Sequence, residues 1–253
     1  IGLSMSGIDI SEFDLSGLNL STGGIINSTS LNSDFIETNL TSANLFGSTF
    51  NGSNFNGANL TDTGLRKCSL VNTNLTNANL TGATFTAETD ISGATINGAD
   101  FTSTVENGFT FAHLESTKSY ADKNLSGVIF DYNDIGAWNL SGLNLQNTSF
   151  FASKIAGTNF SNSDLRGADI SVTKGTATYK NTIMSDGVIK NFSMTSADES
   201  LSIRKYTPAE GGENISAKIA EDAMISGGAK LTLEQGAFFE VANGKTLTVA
   251  SDG

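Results

Sequence analysis

The sequence predicts an all-β chain wound into stacked coils, and three observations carry that prediction. An apolar residue recurs at every fifth position over long stretches, a small residue stands two places before it, and Asn, Asp, Ser, Thr and Gly fill most of the rest. Helical faces repeat about every 3.6 residues and strand faces every 2, so a period of five belongs to neither. It fits a chain that runs straight for a few residues, turns and repeats.

The period begins at Ile10 and runs through Leu15, Leu20, Ile25, Phe35, Leu40, Leu45, Phe50, Phe55 and Leu60 to Phe85, with Ser30 the one polar residue in a central slot. One extra residue then shifts the register to Ile91, Ile96 and Phe101. The rhythm lapses after residue 103 and resumes at Leu125, continuing through Phe130, Ile135, Leu140, Leu145, Phe150, Ile155, Phe160 and Leu165 to Ile170. The small residues two places ahead (Ala43, Ser48, Ser53, Ala58, Cys68, Ala78, Ala83) are expected to point inward with the central residue and to fill a narrow interior. Asn or Asp just before the centre, with Ser, Thr or Gly after it, is turn chemistry, because these residues bond local backbone or tolerate positive φ.

The motifs Ala43-Asn44-Leu45, Ala58-Asn59-Leu60, Ala78-Asn79-Leu80 and Ala168-Asp169-Ile170 resemble the unit of the pentapeptide-repeat family, written A(D/N)LXX. The resemblance covers about residues 5–171 and implies a right-handed quadrilateral β-helix with four pentads per coil, about seven coils in all. Residues twenty apart should then stack: Phe35 on Phe55, and Leu20, Leu40, Leu60 and Leu80 in one ladder. Ser30, between Ile10 and Phe50, predicts a local packing defect.

Four regions follow: residues 1–103 as a first repeat module, 104–124 as an interruption, 125–171 as a second module and 172–253 as a C-terminal region of different period. Ile8, Phe13 and Leu18, and again Val128, Trp138 and Leu143, are bulky where the repeat asks for small residues. They are expected to close the starting coil of each module, since a terminal coil lacks a neighbour to cover it. Within the interruption, a short helix is expected near 110–117, with Thr110 as N-cap and Phe111 and Leu114 on one face. It reads as a structural plug between coils, with a ligand-binding insertion as the alternative. In the C-terminal region, Ala223/Ile225, Leu231/Leu233, Phe239/Val241 and Leu247/Val249 are alternating apolar pairs separated by Gly-containing turns. They predict a β-solenoid of wider coil, stacked on the last pentapeptide coil, or else a β-meander. The segments Gly228-Ala229-Lys230-Leu231-Thr232-Leu233 and Asn243-Gly244-Lys245-Thr246-Leu247-Thr248-Val249 resemble repeats of exported bacterial autotransporter-like surface proteins.

Composition narrows the function. The 253 residues include 27 glycines but one proline, one cysteine, one histidine and one tryptophan, and only 16% are charged against about 25% in an average soluble domain. With 14 basic and 26 acidic residues the net charge is −12, which disfavours direct nucleic-acid binding. One cysteine and one histidine exclude a disulfide scaffold and a four-ligand Cys/His zinc site. No apolar run approaches the ~18 residues of a membrane span.

Candidate chemistry is sparse. Any Ser/His or Cys/His arrangement must use His113, which lies beside apolar residues in the expected helix. Cys68 occupies a small inward slot. Asp9, Asp14, Asp34, Asp100, Asp134, Asp164 and Asp169 fall in the Asn/Asp slot of the repeat, although Asp14 and Asp34, twenty apart, share a face and could pair as in a glycosidase. The acidic pairs Asp198-Glu199, Glu210/Glu213 and Glu221-Asp222 lack calcium-loop spacing and read as solvated surface. The sequons at Asn39, Asn74 and Asn139 are generated by the repeat itself. No catalytic, cofactor-binding or metal site is therefore expected.

The sequence points to a non-enzymatic structural or interaction protein, secreted or at a bacterial cell surface, that presents a rigid polar β-helix to a protein or surface-carbohydrate partner. The family resemblance implies one alternative, a mimic of duplex DNA that binds topoisomerase (gyrase). A net −7 over residues 1–103, −1 over 104–124, −2 over 125–171 and −2 over 172–253 traces largely to the repeat's own Asp slot, and the family's mimics are usually compact dimers without a second kind of solenoid. A carbohydrate-processing β-helix enzyme is the other alternative.

Overall fold

The computed structural model describes residues 4–196 and 198–249. Its contacts divide the chain into two compact units, residues 1–134 and 135–253. The first is a right-handed quadrilateral β-helix. β1 (Ser4–Ser6) pairs in parallel with β2 (Gly24–Ile26), and the remaining rungs are parallel bridges between residues one coil apart, such as Asp34 to Asn54 and Asn59 to Asn79. Within a rung the central residue donates forward and the residue before it donates back: Phe35 N–H to Asn54 O at 2.7 Å, and Asn54 N–H to Ser33 O at 2.9 Å. The backbone amides are thus consumed between coils, which is why proline is nearly excluded.

The interior follows the stacking that the repeat dictates. Phe35 lies on Phe55 with centroids 4.5 Å apart and planes 3° from parallel, and Phe50 packs edge-on against both. Leu20, Leu40, Leu60 and Leu80 form a buried ladder, and Ala43, Ser48, Ser53, Ala58, Cys68, Ala78 and Ala83 are buried beside the central residues. Buried hydroxyls fit because they bond the preceding coil: Ser48 Oγ donates to Ile25 O and Thr63 Oγ1 to Leu40 O. Ser30 is fully buried in its central slot. Its Oγ is buried without a hydrogen-bond partner.

Five corners share a second stacking pattern. There the turn residue with positive φ is Asn or Asp in one coil and Gly in the next: Asn27/Gly47, Asn32/Gly52, Asp62/Gly82, Asn72/Gly93 and Asn77/Gly98. A Cβ on Gly47 would stand 2.3 Å from Asn27 Oδ1, because the asparagine leans over the following turn. Glycine there accommodates the neighbouring side chain as well as its own φ of 68°.

The interruption is an enlarged coil. α1 (Phe111–Ser116, N-cap Thr110) appears where expected, and α2 (Lys118–Ala121, N-cap Thr117) follows it. Helical segments replace two faces but keep the ladder: Phe85 N–H donates to Asn107 O, Gly93 N–H to Ser116 O and Ile96 N–H to Ser119 Oγ, and the bridge Asp100 to Ile129 restores the regular coil. Phe109 and Leu114 are buried, and Phe109 packs against Phe85 and Phe101.

The bulky residues of the two starting coils differ in their burial. Ile8, Phe13 and Leu18 do not close the first coil; they are 37%, 57% and 46% exposed, whereas Val128, Trp138 and Leu143 are buried. A pentad side chain is covered by coils on both sides, and these three residues have a described coil on one side only.

In the second unit the coils of residues 135–171 continue into the C-terminal region through the bridges Lys154 to Lys174, Asn159 to Thr178 and Asp164 to Ile183, and Phe160 stacks on Tyr179. An antiparallel hairpin, β3 (Thr182–Ile183) and β4 (Ile189–Lys190), follows. Thereafter the strands are β5 (Ser200–Ile203), β6 (Ala217–Ile219), β7 (Ala223–Ile225), β8 (Lys230–Leu233), β9 (Phe239–Val241) and β10 (Leu247–Val249). β8 pairs on β5, β9 on β6 and β10 on β7, all in parallel. Parallel pairing between non-neighbouring strands is the arrangement of a solenoid and rules out a meander. Ile183, Ile189, Met194, Leu201, Ile203, Ala217, Ile219 and Ile225 form its core.

Candidate functional site

The carboxylate and carboxamide of the slot before each centre have a local task. Asp9 Oδ1 accepts from Ser11 N–H and Ser11 Oγ, Asp14 Oδ1 from Ser16 N–H and Asp100 Oδ1 from Thr102 N–H; Asn39 and Asn59 do the same for Thr41 and Thr61. Each closes a turn by bonding backbone two residues on. The serine hydroxyl and then the serine amide hold Asp9 and Asp14 below the ordinary carboxylate range. Asp14 and Asp34 do bridge adjacent coils as the twenty-residue spacing requires. Asp169 Oδ1 accepts from Ser171 N–H, and Asp134 is exposed at the bridge position just before the central Ile135.

Cys68 is fully buried with Sγ 2.8 Å from Leu45 O, and burial pushes its thiol up to about 12. A thiol so rarely ionised is a poor nucleophile. His113 is also engaged at both nitrogens. Thr110 N–H donates to Nδ1 at 3.0 Å, so Nε2 carries the proton and donates to Thr86 O at 3.1 Å. The ring stacks on Phe109, and burial lowers its pKa. It borders an open groove of about 490 Å³ whose wall includes Glu88, Asp90 and Thr110. Neither side chain therefore offers a free lone pair or thiolate to a substrate.

Of the acidic pairs, Glu199 bonds Lys180 and the Thr195 and Ser196 amides, with Lys180 chiefly lowering its pKa, and Asp222 Oδ1 accepts from Thr246 N–H. Asp198, Glu210, Glu213 and Glu221 are exposed. Among the described residues no three His, Cys, Asp or Glu side chains converge as a metal-binding group. Nor, among the described residues, is any helix long and apolar enough to cross a membrane.

A dense polar cluster lies elsewhere. Asp164 and Arg166 are both fully buried, joined by Arg166 Nη2 to Asp164 Oδ2 at 2.6 Å and Nε to Oδ1 at 3.0 Å. Gln146 Nε2 donates to Asp164 Oδ2 and to Lys205 O, while Arg166 donates to Ile215 O and Arg204 O. Tyr206 lies over the guanidinium and donates to Asn147 Oδ1, and Asn147 Nδ2 donates to Thr207 O. Residues 204–207 thus run as a strap across a coil face, keyed by a buried ion pair.

A family model for pentapeptide repeats matches the chain in eight copies, over residues 32–62, 58–105 and 139–171. A pentapeptide repeat protein from the Arabidopsis thaliana thylakoid lumen is 34% identical over 39% of this chain and 68% of its own, with a TM-score of 0.38. The chain belongs to the pentapeptide-repeat family. QnrB1, a plasmid-mediated fluoroquinolone resistance protein, aligns over 90% of this chain and 91% of its own at 18% identity and a TM-score of 0.33. HetL, a pentapeptide repeat protein involved in heterocyst differentiation regulation from the cyanobacterium Nostoc sp. strain PCC 7120, aligns over 74% and 91% at 20% identity and a TM-score of 0.24. No curated protein matches.

The pentapeptide-repeat pattern explains why Asp164 passes unnoticed in the sequence: it fills the ordinary Asn/Asp slot. The visible signal is on its neighbours. Gln146 and Arg166 stand one coil apart in the position after the centre, where long hydrogen-bonding side chains replace the usual Ser, Thr or Asn.

Proposed function

We propose that this protein is a non-enzymatic interaction scaffold, secreted or displayed at a bacterial cell surface, whose coil faces bind a protein or a surface carbohydrate. The observation that carries the reading is the ladder Asn19, Asn39, Asn59 and Asn79, bridged coil to coil and flanked by Ser21, Thr41, Thr61 and Thr81. These ranks are uncharged, repeat at one strand spacing of about 4.8 Å, and are fixed by their own turn bonds. A partner that meets them orders no loop on binding, which lowers the entropic cost of association. His113 and Cys68, the side chains best suited to nucleophilic chemistry, are both tied into the coil. The likeness of the C-terminal segments to exported surface repeats supports display outside the cell.

The test is binding of the purified chain to immobilised surface glycans and surface proteins. Thr61→Arg should abolish capture while costing about 1 kcal/mol, since the half-buried Thr61 loses one turn hydrogen bond, from its Oγ1 to Asn59 Oδ1. Release of reducing ends or unsaturated sugars from a polysaccharide panel would replace this reading with an enzymatic one.

The gyrase-binding alternative draws on the −7 net charge of residues 1–103 and on the alignment of Asp14 with Asp34 in adjacent coils. A supercoiling assay separates the two readings. Inhibition at micromolar protein supports the DNA mimic, and unaffected supercoiling removes it.

A further inference from the structure

Five Asn-Gly pairs occur in the chain: Asn51-Gly52, Asn56-Gly57, Asn97-Gly98, Asn107-Gly108 and Asn243-Gly244. The dipeptide carries its own reaction, because a glycine amide nitrogen has no side chain to shield it from the preceding asparagine Cγ. Attack requires that N–H to be released from any partner and the asparagine side chain to swing onto the backbone.

In four pairs the fold opposes both movements. The glycine N–H groups donate to Val71 O at 2.9 Å, Thr76 O at 3.0 Å, Ser126 O at 3.1 Å and Val105 O at 3.1 Å for Gly52, Gly57, Gly98 and Gly108. The asparagine side chains are held as well. Asn51 Oδ1 accepts from Ser69 Oγ and Val71 N–H, Asn56 Nδ2 donates to Thr76 O, Asn97 Nδ2 to Asn124 O, and Asn107 Nδ2 to Gly82 O and Ser103 O.

Asn243-Gly244 is placed differently. It forms the exposed tip of the turn between β9 and β10, closed by Lys245 N–H to Ala242 O at 3.0 Å. Gly244 has φ 76°, and a Cβ built on it would meet nothing within 4 Å. Among the described residues, no hydrogen bond holds the Gly244 N–H or the Asn243 side chain. The peptide group between them can rotate without breaking a rung of the coil.

We propose that Asn243 is a self-modification site, converting to aspartate and isoaspartate in the folded protein while the other four asparagines stay intact. Hydroxide removes the Gly244 amide proton, and the nitrogen attacks Asn243 Cγ. The Cγ–Nδ2 bond breaks, and Nδ2 leaves as ammonia after taking a proton from water. Water then opens the cyclic imide at either carbonyl, giving aspartate or an isoaspartyl link. The product adds a negative charge beside Lys245, and the isoaspartyl form lengthens the backbone of the turn between two strands of one coil.

The full chain, incubated at mildly alkaline pH and digested with trypsin, yields the peptide Leu231–Lys245 that contains Asn243. Mass spectrometry should find the amide-to-acid mass gain there at least about tenfold faster than at Asn51, Asn56, Asn97 or Asn107, since their amides are released only by local unfolding. In urea all five should convert at similar rates. Equal rates in the folded protein, or an Asn243 that stays intact when folded yet reacts in urea, would overturn the assignment.

Discussion

At the scale of single residues, the repeat converts one side chain's environment into a prediction for its neighbours. Leu60 is 1% exposed and stacked between Leu40 and Leu80. Leu60→Asp places a carboxylate in a buried leucine stack, and a cost of about 4 kcal/mol or more is expected in thermal melting. Ser53→Ala is milder but not neutral. Ser53 Oγ donates to Ser30 O at 2.6 Å and accepts from Ser33 N–H at 3.0 Å, so its loss strands two backbone groups at a cost of about 1–2 kcal/mol. The polarity of a slot therefore does not decide the outcome. Ser30→Ala removes a buried hydroxyl that lacks any partner; it should raise the melting temperature, by about 1 kcal/mol of stability. A variant less stable than the parent would show that Ser30 is held by something other than the packing described.

At the scale of elements, what was legible is what repeats. The pentads, the stacked phenylalanines, the helix after Thr110 and the strands β7 to β10 are all periodic or capped signals, and each appears in the structure. The strap was not legible, because residues 204–207 carry no period and their anchor, Asp164, is disguised by an ordinary repeat slot. Its energetics are those of a buried pair. Arg166→Met would leave the desolvated Asp164 carboxylate with Gln146 as its remaining hydrogen-bonding side chain and Arg204 as its nearby cation, at a cost of up to about 3–5 kcal/mol. Replacing both partners by Leu and Met should recover most of that loss, since two apolar side chains need no compensating charge. Limited trypsin digestion provides an independent readout. In Arg166→Met the chain should be cut at Lys205 faster than in the parent, and an unchanged rate would mean that the strap is held without the ion pair.

For the whole molecule, the charge of −12 proves less informative than its distribution, since most slot carboxylates close their own turns. The same bookkeeping makes the response to acid predictable. The chain has a single histidine. Burial is the main cause that lowers the His113 pKa below 6.5, outweighing the Thr86 and Thr89 backbone groups and Asp90, which act the other way. The unfolded chain therefore takes up a proton near pH 6.5 that the folded chain refuses until lower pH. The stability that neutral His113 contributes is present above pH 6.5 and is lost as pH falls through the folded pKa. Asp9, Asp14, Glu88 and Glu199 are lowered too, and their contribution disappears only below the ordinary carboxylate range of about 4. Approach to the isoelectric point of about 4.4 relieves self-repulsion and works in the opposite direction. Between about pH 7 and pH 5, then, His113 is the group expected to pull the melting temperature down. His113→Gln, which keeps a neutral side chain with a donor and an acceptor, should flatten or reverse that slope. The comparison is one of slopes, so a modest loss of stability in the variant does not obscure it. A variant that loses stability with acid as steeply as the parent would place the proton-linked group elsewhere in the chain.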